Sequence, residues 1–234
     1  MLYCKVKYFS VITAKGKEFF VGEERKDENK FRTQIIDGMM QRRTVILSGE
    51  INHSSTGEVG QRLISLQMKS SDPINLIIDS GGGIMDAALR LCDLMATVMT
   101  APVRGIALGA CGSAATFVML YCKERIGTPY SRFLIHSGTR SKIAIPINQT
   151  TSENLEQLLR DVKAAEEMVT KLYMSRLTPA IWNEHTSEPD QRKFVQGLIA
   201  RGDQRFDYWM SAEEAVEAGL IQQISTSKLD IFPT

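Results

Sequence analysis

The chain has 234 residues, 43% of them hydrophobic and 24% charged, with a formal net charge of +1. That is enough apolar material for one full core in a single α/β domain, and the near-neutral balance gives no electrostatic case for nucleic acid. No stretch approaches the ~18 apolar residues of a membrane span and the first residues lack the apolar core of a signal peptide, so a cytoplasmic protein without membrane attachment is expected. The four cysteines, Cys4, Cys92, Cys111 and Cys122, have no metal-ligand spacing. Cys92, Cys111 and Cys122 sit in apolar runs and read as reduced packing residues. No cofactor is expected.

Residues 1–24 alternate apolar and polar around Lys15-Gly16-Lys17 and predict a β-hairpin or arm, with Glu23 to Lys30 as a charged linker. A helix over Phe31 to Met40, a strand over Thr44 to Ser48 and a helix over Glu58 to Lys69 follow. The rhythm is that of β-then-α units, hence a largely parallel sheet with helices on its faces. The strand Ile74 to Asp79 then runs into Ser80-Gly81-Gly82-Gly83. This run lacks both the Lys-Ser/Thr ending of a phosphate loop and the spacing of a dinucleotide fingerprint. What it offers is a tight turn, and main-chain N–H groups that can approach a ligand closely.

A second strand, Val103 to Leu108, leads through Gly109-Ala110-Cys111-Gly112 to Ser113, and an apolar helix over Ala114 to Tyr121 follows. Ser113 therefore falls where a strand turns into a helix, beside backbone N–H groups suited to an oxyanion. Close packing of helix on sheet accounts for such small residues equally well, and Cys111 is an alternative, thiol nucleophile. A third strand, Ser131 to Ile135, ends at His136, one of three histidines with His53 and His185. All three strands present their candidate at the carboxyl end, where sites gather in open α/β sheets. Ser113 needs a neighbouring base at neutral pH, and a histidine with a pKa near about 6.5 can serve.

Leu155, Leu158, Leu159, Val162, Ala165, Val169, Leu172 and Tyr173 recur at helical spacing, predicting one helix over Thr151 to Leu177 with a Ser152 cap and Pro179 beyond its end. Such a helix of about 27 residues reaches about 40 Å, too long for a chain of this size to cover alone. The stretch Thr178 to Phe206, with Trp182, His185, Pro189 and Phe194, reads as a lid, a subunit contact, a partner site or a plain surface loop.

Four segments together resemble the Clp protease proteolytic subunits, serine peptidases that share a fold with the crotonases. Asp79 to Ile84 resembles the family's Asn-Ser-Pro-Gly-Gly segment, and Gly109 to Ala114 its Gly-Gln-Ala-Ala-Ser-Met. Arg132 to His136 resembles Arg-x-x-Ile-His, and Asp207 to Ile221 resembles Asp-Arg-Phe-Leu-Ser-Ala-x-Glu-Ala with the Gly-Leu and last strand that follow. The resemblance implies a ClpP/crotonase-like α/β fold of repeated β-β-α units and a catalytic triad of Ser113, His136 and Asp207, Asp203 and Asp79 being competing carboxylates. It implies oxyanion donors at Gly83 and Ala114, substrate alignment at Gly82, and no metal. It divides the chain into an arm and linker (1–30), a head (31–150), a handle helix (151–177), an insertion (178–206) and a C-terminal head segment (207–234). It further implies stacked heptameric rings, a tetradecamer, fed with unfolded polypeptide by an AAA+ Clp unfoldase. Gly81 replaces the family's proline, Ala114 the methionine after the nucleophile, and Ser137 to Arg140 the usual segment after the histidine. These departures touch substrate alignment. A self-standing processing peptidase (phage capsid maturation or signal-peptide-peptidase-like), a weakly active structural ring subunit, and a crotonase-type acyl-CoA enzyme are the alternative readings.

Overall fold

The computed structural model describes residues 10–12, 18–20, 24–137, 151–203 and 207–227. The chain divides into two compact units, Met1–Gln41 and Arg42–Thr234. In the first, β1 (Ser10–Ile12) and β2 (Glu18–Phe20) pair antiparallel, as expected of a hairpin, while its Lys15-Gly16-Lys17 tip lies outside the described residues. Helix α1 spans Glu24–Gln41, so the charged stretch expected as a linker is helical. Glu, Lys and Arg are good helix formers, and a run of them marks a solvated helix as readily as a linker.

The second unit is built on a parallel sheet in the order β3-β4-β5-β6-β8, with β7 continuing beside β5. Its strands are β3 (Thr44–Ile51), β4 (Ile74–Gly83), β5 (Val103–Gly112), β6 (Glu124–Gly127), β7 (Arg132–Leu134) and β8 (Gln223–Ile224). Ile74, Leu76 and Ile78 of β4 are fully buried, and Asn75 and Ile77 between them are buried too. A strand covered on both faces reads as a continuous apolar run rather than an alternating one. Helix α2 (His53–Gln67) packs on β3 and α4 (Ala114–Leu120) on β4 and β5, with α3 (Met85–Asp93) against both helices. A π-helical turn, Leu94–Val98, continues α3.

Three boundaries differ from the sequence reading for identifiable reasons. Helix α2 starts at His53 because Asn52 caps it, in a capping box with Ser55 of its first turn. Strand β5 runs to Gly112, beyond Leu108, because β7 offers a partner to Ala110, Cys111 and Gly112. The stretch after residue 178 is not a plain loop: a 3₁₀ turn over Pro179–Asn183 leads to α6 (Glu188–Gly202). Ser187 caps α6, Pro189 sits in its first turn with Glu188 and Asp190, and Val195 and Leu198 are buried. Phe194 packs against Trp182 and His185, and Arg192 pairs Glu167 through its two terminal guanidinium nitrogens at 2.6 and 3.2 Å.

The long helix is present as α5 (Ser152–Arg176), capped by Thr151 rather than Ser152. Short helix α7 (Ala212–Glu217) follows the Met210 bridge to Phe133. Among the described residues, no helix is long and apolar enough to cross a membrane.

Candidate active site

Strand β4 loses regular register with both neighbours as it reaches its glycines, the shifts falling between Ser48 and Glu50 on β3 and between Ile78 and Ser80 on β4. The Ser80 hydroxyl fixes this end, donating to Gly49 O at 2.5 Å and accepting from Gly82 N at 3.1 Å. Gly82 (φ 106°) and Gly83 (φ 149°) hold backbone conformations that favour glycine. A Cβ on Gly82 would lie 2.6 Å from Ser113 Cβ and 2.7 Å from Gly112 O, and one on Gly83 would collide with Ile51 O. The absence of side chains is what lets the glycine edge lie against the serine turn.

Ser113 stands between β5 and α4 with φ 52° and ψ −126°, one of two non-glycine residues at positive φ among those described. Its N–H donates to Leu134 O at 2.7 Å, and its carbonyl accepts from Thr116 N at 2.9 Å and from the Thr116 hydroxyl at 2.6 Å. A serine held in so sparsely populated a conformation at the head of a helix can present its Oγ from a sharp strand-to-helix turn.

Strand β7 and the segment at 207–210 meet through a two-way backbone pair: Phe133 N donates to Met210 O at 3.0 Å and Met210 N to Phe133 O at 2.8 Å. This isolated bridge brings the segment that begins at Asp207 beside the strand that leads to His136. A cleft of about 680 Å³ is lined by Gly83, Ser113, Ala114, His136 and Asp207, and also by Gly81, Glu50 and Trp209. A second carboxylate enters from the end of α6. Asp203 accepts from Ser137 N through both oxygens at 3.3 Å, and its Oδ1 is 3.9 Å from His136 Nδ1. Gly202, before it, packs directly on the Ile135 carbonyl, where no side chain would fit.

The sequence model of the Clp protease family matches residues 26–228. The chain belongs to the Clp protease family. It is 29% identical over 218 residues to the ATP-dependent Clp protease proteolytic subunit 2 of Treponema denticola, covering 89% of this chain and 96% of that one. It is 30% identical over 215 residues to subunit 2 of Treponema pallidum (89% and 95%), and 27% over 206 residues to subunit 1 of Chlamydia caviae (87% and 97%). Membership of the Clp protease family sets aside the acyl-CoA reading.

For this Clp protease family member the structure gathers every residue expected from the sequence, Gly82 reaching Ser113 and the other five lining the cleft. It argues against Cys111 as nucleophile: the thiol is fully buried, and burial drives its pKa far up, with Cys122 adding to the shift. Asp79 does not face the histidine but accepts from Ala110 N at 3.1 Å. Trp209 was missed, although it stands two residues from Asp207 and lines the same cleft. A Cβ on Gly112 would strike its ring at 2.7 Å, so the indole lies flush on the strand before the serine. The Ser137 to Arg140 departure lies outside the described residues beyond Ser137.

Proposed function

We propose that the chain is the proteolytic subunit of a chambered serine peptidase that hydrolyses peptide bonds of unfolded polypeptides through an acyl-enzyme on Ser113. The observation that carries this reading is the strained Ser113 turn at the head of α4, laid against Gly82 in a cleft shared with His136. His136 takes the proton from Ser113 Oγ as it attacks the scissile carbonyl and returns it to the leaving amine, and Asp207 holds the imidazole in the right tautomer. The N–H groups of Gly83 and Ala114 receive the oxyanion, each donor contributing about 3 kcal/mol to the transition state. Gly82 aligns the substrate strand. Water then releases the acyl group by the same steps in reverse order.

Assembly into two stacked heptameric rings, loaded by an AAA+ Clp unfoldase in the cytoplasm, completes the reading. Its support is the family membership and the apolar stripe of α5, where Leu155 and Leu159 are 50% and 52% exposed. The test is intact mass after treatment with a fluorophosphonate, beside Ser113→Ala, with the native mass of the untreated particle. One adduct, absent from the variant, on a particle of ring mass is expected. No adduct on a well-formed ring would overturn the peptidase reading in favour of a structural subunit, and an adduct on a single chain would favour a self-standing processing enzyme.

A further inference from the structure

A buried polar chain runs from the long helix to the nucleophile turn. Thr116 and Tyr173 are both fully buried, one on α4 and the other on α5, with their hydroxyl oxygens 2.6 Å apart. The Thr116 hydroxyl has a single proton and donates it to Ser113 O at 2.6 Å. The proton in the Tyr173 to Thr116 bond therefore belongs to the tyrosine. The order is Tyr173 O–H to Thr116 Oγ1, then Thr116 O–H to Ser113 O. Burial pushes the phenol pKa well above its usual range, so the tyrosine stays a donor across the working pH of a peptidase.

The chain is seated in packing that ties it to the cleft. The Tyr173 ring meets Phe117 edge-on at 5.7 Å between centroids, and Phe117 lines the cleft with Val169, one turn before Tyr173 on α5. The far ends of α4 and α5 are joined by buried Arg125, which donates to Leu120 O at 3.4 Å and Arg176 O at 2.8 Å. Ser113 is thus pinned on both sides: its N–H by Leu134, its carbonyl by Thr116 backed by Tyr173. A residue at φ 52° keeps that conformation only where its surroundings over-determine it.

We infer that Thr116 and Tyr173 are positioning residues for the nucleophile, holding the Ser113 carbonyl so that its Oγ and the following N–H keep their attack geometry. The inference rests on the peptidase reading. Neither side chain touches substrate. Each acts through the Ser113 backbone, and Tyr173 acts only through Thr116.

The test compares Tyr173→Phe, Thr116→Val, Thr116→Ser and the Tyr173→Phe/Thr116→Val pair, all near-isosteric, by fluorophosphonate acylation rate and short-peptide kinetics at several pH values. Acylation and kcat fall about tenfold in Tyr173→Phe and further in Thr116→Val, as a small displacement of a reacting atom does. KM and the pH midpoint do not move, because neither binding nor titration has changed. Thr116→Ser restores wild-type rates, and the double variant is no slower than Thr116→Val alone. Lower melting temperatures with unchanged acylation would make the chain merely structural and overturn the inference. Multiplying losses in the double variant would overturn the route through Thr116. A wild-type chain that takes no adduct overturns the peptidase reading, and the inference with it, whereas labelled wild type with equally fast variants overturns the inference alone.

Discussion

At the scale of single residues, one carboxylate approaches His136 and a second shares its cleft, and they come from different parts of the fold. Asp207 lies three residues before Met210, whose backbone pairs with Phe133, and it lines the cleft with His136. Asp203 arrives from the end of α6, with its Oδ1 3.9 Å from His136 Nδ1 and both oxygens on Ser137 N. The two jobs are separable: orienting the imidazole, and holding the segment that carries it. Asp207→Asn is expected to slow Ser113 acylation by about 10⁴-fold, the loss typical when a triad imidazole takes the wrong tautomer. Asp203→Asn is expected to slow it about tenfold by loosening the His136 and Ser137 backbone. Fluorophosphonate rates on the two purified variants decide, and the opposite ranking would make Asp203 the orienting group. Ser113 and His136 were legible in the sequence because each ends an apolar strand. Asp203 stood among the competing carboxylates, but its contact with the His136 segment depends on where α6 stops, and no local pattern encodes that.

At the scale of elements, what was legible followed the periodicity of side chains, and what was missed followed capping and tertiary pairing. Helix α5 was plain from its apolar spacing, whereas α6 was hidden because its buried positions are few. Strand β6, four residues long, has too little length to show a period. Helix α7 begins with a capping box: Ser211 N donates to Glu214 Oε2 at 2.9 Å, and Glu214 N to Ser211 Oγ at 3.3 Å. The same carboxylate accepts from the Tyr208 hydroxyl and from Arg201 Nη2, fastening the residue next to Asp207. The Tyr208 hydroxyl first, then the Ser211 N–H and Arg201, hold the Glu214 carboxyl below its usual pKa. A carboxyl depressed in the folded state stabilises the fold above its unfolded pKa, and that contribution disappears as pH falls through the folded value. Glu214→Gln should therefore lower stability by about 1 kcal/mol at neutral pH, in the range of a lost cap. The gap between variant and wild type should close in acid. Thermal melts of both proteins from pH 7 down to about 3 measure it, and a gap that is constant with pH would show that the carboxylate charge is not what holds the segment.

At the scale of the whole molecule, a parallel sheet collects the serine, histidine and glycine segments at the carboxyl ends of its strands, yet α5 has more apolar surface than the fold uses. Val169, Thr170 and Tyr173, in its last two turns, are buried against the site. Leu155, Leu159 and Met168 are 50%, 52% and 39% exposed along the earlier turns, and Leu158, Val162 and Ala165 are half-buried. A helix of 25 residues extends about 37 Å, and an apolar stripe of that length calls for a covering surface. In the proposed rings a second copy would supply one of matching length, and the site end of the same helix would then tie association to the cleft. Leu155→Glu with Leu159→Glu sets charges into that stripe without touching a buried residue, so the fold should survive and the assembly should not. Native mass spectrometry is expected to show the particle reduced to smaller species, while circular dichroism retains the helical signal. Retention of full mass would mean that other surfaces hold the subunits together. Collapse of mass with fluorophosphonate labelling still at the wild-type rate would show that the site is complete in one chain and that the rings serve only to enclose it.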